Sequence, residues 1–120
     1  MRALALALLP ILALGAPAAL AHAFLDHAKP DVGSVLERAP TAISLWFTQE
    51  LEPAFSTAEV VDPSGNRVDS GNAQVDRKDP TLLRVPLKPL SAGRYKVNWR
   101  VVSVDSHTTE GSFTFRVGGE

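Results

Sequence analysis

The sequence predicts an all-β domain, a seven-stranded Greek-key β-sandwich, behind a cleaved leader. Three observations carry the prediction. After residue 21 the chain is a series of short alternating or β-branched runs, each closed by proline or glycine. No stretch keeps a helical period long enough to form a helix. The runs number about seven, at the spacing of a two-sheet sandwich.

The chain opens MRALALALLPILALGAPAALA, with one positive charge at Arg2, an apolar stretch from Ala3 to Leu14, and the small-residue triplet Ala19-Leu20-Ala21. That order is a secretory signal peptide over residues 1–21. Ala3 to Ala21 is long enough to serve instead as an uncleaved membrane anchor, but Pro10, Pro17 and the triplet fit cleavage better. A lipid anchor would need a cysteine, and the chain has none. Cleavage leaves one domain, residues 22–120, with 11 basic against 13 acidic residues. No basic patch for nucleic acid results, and no membrane span remains. With zero cysteines the exported domain stands on its apolar core, without disulfides and without thiolate chemistry.

Taken in order, the elements are these. Ala23 to Ala28 forms the first strand, and Asp31 to Pro40 is the longest loop. Thr41 to Thr48 (TAISLWFT) sets Ile43, Leu45 and Phe47 on one face. Thr57 to Val61 is closed by the turn Asp62-Pro63-Ser64-Gly65, and a weaker run lies near Arg67 to Ser70. Thr81 to Leu87 is a strand in which Pro86 predicts an edge position. The turn Leu90-Ser91-Ala92-Gly93 leads into Arg94 to Val104, where Tyr95, Val97, Trp99 and Val101 alternate with polar residues. Val102 and Val104 break that alternation, which predicts a bulge or a strand end buried on both faces. Gly111 to Val117 turns Phe113, Phe115 and Val117 inward.

The chemistry lies in the histidines. Cleavage after Ala21 makes His22 the first residue, and Asp105-Ser106-His107 falls at the end of a predicted strand. On extended chain, residues two apart point the same way, so carboxylate and imidazole converge. Such a pair alone is most often a hydrogen-bonded surface pair. A terminal histidine changes this. A free α-amine has a reference pKa of about 7.7 to 8.0, so a metal can displace its proton near neutral pH. Amine and imidazole of His22, imidazole of His107 and carboxylate of Asp105 make an N3O set. Tetragonal N,O donors suit Cu(II) or Ni(II), with Cu(II) first in affinity; zinc would accept them tetrahedrally and less tightly. Cu(I) prefers sulfur, and the cleaved chain has neither Cys nor Met. The expectation is one Cu(II) ion per chain that resists reduction. His27 reads as an ordinary, partly exposed histidine, since joining His22 in one site would require a bend. Asp26 and Glu110 read as solvated charges or as carboxylates that orient an imidazole. Trp46 and Trp99 read as core or sheet-face aromatics.

These residues resemble the CopC family of periplasmic copper-binding proteins over nearly the whole length after the leader. The likeness rests on His22, Lys29-Pro30 with Gly33 and Leu36, Ala39-Pro40, Ile43-Ser44-Leu45-Trp46-Phe47, and Leu90 to Val97. The most specific stretch runs from Trp99 through Val104-Asp105-Ser106-His107 to Gly111-Ser112-Phe113-Thr114-Phe115. The resemblance implies a Greek-key sandwich of the cupredoxin- or Ig-like barrel kind, with Cu(II) held by His22, Asp105 and His107. It also implies a periplasmic location and, as partner, a separate inner-membrane copper importer of the CopD type. Some members carry a methionine-rich Cu(I) site that this sequence cannot build. Two other functions compete. One is a copper monooxygenase-like enzyme using an N-terminal histidine, which the small domain and a carboxylate ligand disfavour; the other is a metal-free interaction module. The expected protein is a monomeric, non-enzymatic copper carrier serving copper resistance or homeostasis.

Overall fold

The computed structural model describes residues 22–118; the predicted leader lies outside them. Alternating apolar residues build eight strands: β1 (Leu25–Lys29), β2 (Val35–Leu36), β3 (Ala42–Phe47), β4 (Thr57–Val61), β5 (Gln74–Val75), β6 (Leu82–Pro86), β7 (Gly93–Val102) and β8 (Thr108–Val117). A 3-10 turn, Pro53–Phe55, precedes β4. One sheet has the order β1-β3-β6-β5 and the other β2-β8-β7-β4. All pairings are antiparallel except β2 on β8.

The period-2 pattern decides the core. Ile43, Leu45 and Phe47 of β3 and Leu83 and Val85 of β6 face Val60, Tyr95, Val97, Trp99, Val101, Phe113, Phe115 and Val117 of the second sheet, and all are buried. Burying such side chains contributes about 1.5–3 kcal/mol each, which lets a cysteine-free sandwich stand. Among the described residues no helix is long and apolar enough to cross a membrane.

The predicted sandwich is present, with differences in detail. The weak run at Arg67 to Ser70 is no strand. It makes single bridges, Val61 to Arg67 and Asp69 to Leu87, because the Asp69 carboxylate, rather than a backbone ladder, takes the Val60 and Gly71 N–H groups at 2.8 and 2.9 Å. The short β2 interrupts the loop expected over Asp31 to Pro40, and β5 lies in a stretch to which the sequence assigns no element; two residues carry too little pattern to be seen. Strand β6 is internal. Pro86 is tolerated because its carbonyl accepts the Ser70 N–H at 2.9 Å, so its ring nitrogen faces the same side, beyond the two-residue reach of β5. The β7–β8 ladder runs unbroken from Gly93↔Val117 to Val102↔Thr108, without the expected bulge. The inward alternation continues through Val101 to buried Ser103, and Val104 is turned out to solvent. A register shift occurs instead in β1, between Leu25 and His27.

Candidate metal centre

Beyond Val102 the chain reverses in a tight hairpin. Ser103 N–H donates to His107 O at 2.9 Å and Ser106 N–H to Ser103 O at 2.8 Å. Ser106 sits at φ 73°. This is a three-residue loop, a type I turn followed by a left-handed residue. Asp105 and His107 therefore stand on a hairpin turn and not on extended strand. They converge because the turn folds Asp105 back, bringing His107 Nδ1 to 3.2 Å from Asp105 Oδ1. The same Oδ1 accepts a short hydrogen bond from Ser103 Oγ. Foremost the Ser103 hydroxyl, then the His107 imidazole, hold the Asp105 carboxyl below the usual carboxylate range. It is ionised at neutral pH.

A second set of contacts brings the start of the domain to this loop. Ala23 is wholly buried. Its carbonyl accepts Thr109 Oγ1 at 2.5 Å, and the Phe24 N–H donates to Thr48 Oγ1 at 2.9 Å. Thr48 N–H donates back to Phe24 O, also at 2.9 Å. Thr48 follows β3 and Thr109 lies in β8, so the segment is pinned across both sheets at one end of the sandwich. His22 consequently lies beside the hairpin, its ring centroid 4.6 Å from that of His107 at an interplanar angle of 44°.

With metal–nitrogen bonds of about 2.0 Å, two imidazoles at right angles on one ion have centroids about 4.5 Å apart, and opposed ones about 6 Å. The backbone thus holds these rings near the spacing that a shared ion requires. Two imidazoles and a carboxylate are N,O donors of the kind that take Cu(II). Among the described residues no three His, Asp or Glu side chains are already closed around one point; an α-amine at His22, if cleavage released one, would add a nitrogen there.

The other candidates are occupied elsewhere. His27 stacks on Trp46 at 4.5 Å and 6°, with its Nδ1 2.7 Å from Asp26. Both side chains are exposed, as expected of an ordinary surface histidine. Asp26 thus meets an imidazole, that of His27. Glu110 pairs with Arg100 at 3.2 Å. Trp99 is in the core, edge-on to Phe47 at 5.1 Å. Sequence reasoning missed Ser103, Thr48 and Thr109. The one available signal was Ser103 itself, a hydroxyl continuing the inward series Tyr95, Val97, Trp99 and Val101.

Comparison with known proteins completes the picture. The CopC domain pattern matches residues 25–118. The chain is 40% identical over 102 residues to Protein YobA of Escherichia coli (strain K12), covering 84% of this chain and 82% of that protein. It is 38% identical over 105 residues to Copper resistance protein C of Pseudomonas syringae pv. tomato, covering 82% of each. The crystal structure of CopC from Methylosinus trichosporium OB3b superposes with a TM-score of 0.75 at 32% identity, over 80% of this chain and 93% of that one. With its sandwich matched in sequence nearly end to end, the chain belongs to the CopC family, a family of copper resistance proteins and not of enzymes.

Proposed function

We propose that the protein is a periplasmic Cu(II) carrier. Residues 1–21 export it and are removed, and residues 22–120 form a monomeric domain that binds one ion. His22 supplies amine and imidazole, Asp105 a carboxylate oxygen and His107 an imidazole nitrogen. The 4.6 Å approach of the His22 and His107 rings, with Asp105 hydrogen-bonded beside them, is the observation that supports this most. Absence of sulfur ligands after cleavage favours the oxidised ion and a buffering or delivery role over electron transfer. Membership in a copper resistance family supports copper as the cargo. A separate inner-membrane importer of the CopD type is the proposed recipient.

The test is a competitive Cu(II) titration with electron paramagnetic resonance on two proteins, one starting at His22 and one bearing a single extra N-terminal residue. The expected result is one tight, tetragonal, nitrogen-rich copper in the first and its loss in the second. Equal binding by both, or by neither, would overturn the reading.

A further inference from the structure

We propose that Ser103 is a positioning residue for copper, its buried hydroxyl presetting the Asp105 carboxylate as a ligand. The proposal rests on the copper-site reading above. Ser103 is 1% exposed and occupies the last inward position of a run that is otherwise Tyr95, Val97, Trp99 and Val101. A hydroxyl there costs burial free energy unless it is hydrogen-bonded. Its backbone contacts, Ser103 N–H to His107 O and Ser106 N–H to Ser103 O, would survive replacement by alanine. What alanine cannot supply is the side-chain bond to Asp105 Oδ1. The same oxygen Oγ also lies 3.3 Å from the His107 N–H that it accepts and 3.4 Å from His107 O. One buried group therefore touches both loop residues assigned to copper.

The geometry divides the work of the carboxylate. Oδ1 is held from the protein side by Ser103, and His107 Nδ1 approaches the same atom at 3.2 Å. In this proposal the ion takes the carboxylate while Ser103 keeps its bond to Oδ1. Without Ser103 the carboxylate must be ordered at the moment of binding. Loss of such outer contacts typically weakens a metal site about 10–100-fold.

The experiment uses protein that begins at His22, Cu(II) as the probe, and a double-mutant cycle of Ser103→Ala with Asp105→Ala. Competitive titration, electron paramagnetic resonance and thermal melts are recorded for each member. The expected result is that Ser103→Ala weakens Cu(II) at least about tenfold and moves the copper spectrum toward that of Asp105→Ala. Ser103→Thr, which keeps the hydroxyl, restores the native spectrum, and Ser103→Ala adds little once Asp105→Ala has removed its acceptor. Equal weakening in both backgrounds, or unchanged affinity in a folded Ser103→Ala protein, would overturn the proposal. If Ser103→Ala does not fold, Ser103→Cys takes its place in the cycle. If Asp105→Ala and His107→Ala both bind copper like the native protein, the site reading beneath the proposal has failed instead.

Discussion

Trp99 fills the side-chain space of its cross-strand partner, Gly111: a Cβ on Gly111 would come to 2.8 Å from the indole Cε2 and 3.1 Å from Cη2. The indole is core, boxed in by Phe47, and cannot swing outward without opening the sandwich. Gly111→Ala is expected to cost about 1–3 kcal/mol, the usual range for overpacking a close-packed interior. For a domain of this size that lowers Tm by about 4–8 °C per kcal/mol. Thermal unfolding followed by tryptophan fluorescence measures it; an unchanged Tm would show that the ring has room to move.

Ser106 adopts φ 73°, a left-handed conformation that disfavours a residue with a Cβ. Ser106→Gly relieves that cost, less the extra chain entropy of glycine. A gain of about 0.5–1 kcal/mol in urea unfolding is expected. Ser106→Val should move stability the other way.

Asp69 is buried, and burial alone would raise its carboxyl. Hydrogen bonds from the Arg67 guanidinium and the Val60 and Gly71 N–H groups outweigh burial and hold it below the ordinary carboxylate value. A group with its folded value depressed adds stability that is fully present above the unfolded carboxylate pKa, about 3.9, and is lost as pH falls through the folded value. Acid unfolding should therefore show an Asp69-dependent limb below about pH 4 that flattens in Asp69→Asn. Asp69→Ala, which leaves two N–H groups without their acceptor, should cost about 2–3 kcal/mol at neutral pH.

Thr109→Val removes the donor to Ala23 O while keeping the shape of the side chain. The start of the domain should loosen before the rest. Hydrogen exchange is expected to quicken at the Phe24 and Thr48 amides, which bond each other's residues, and to stay slow at Val97 and Phe115 in the core ladder. Uniform quickening would mean that the bond supports the whole fold.

The sandwich was legible because inward alternation is strong in β3, β7 and β8. Where it is carried by two residues, as in β2 and β5, no period exists to read. Asp105 and His107 were legible as a pair for a different reason than the one that joins them. Extended chain and a tight hairpin both bring residues two apart together, and nothing in Val-Asp-Ser-His signals a left-handed serine where glycine or asparagine would be usual. The approach of His22 to His107 was open to chemical argument but not to pattern, since it depends on Thr48 and Thr109 contacts that span the two sheets. Ser103 was overlooked because a lone inward hydroxyl looks like an interruption of the core until its acceptor is known.

The Thr109–Ala23 bond links positions 86 apart in sequence, and His22 and His107 face each other beside it. An ion gripped by both would be a crosslink as well as a cargo, converting an open chain into a ring that contains nearly the entire domain. Strand β1 lies at the edge of its sheet, where fraying begins, and the ring would fasten that edge. Closing a loop of this length restricts the unfolded chain by about 4–5 kcal/mol in the chain-entropy limit known from disulfides. Resistance to an exopeptidase working from the first residue would then report whether a given molecule is loaded.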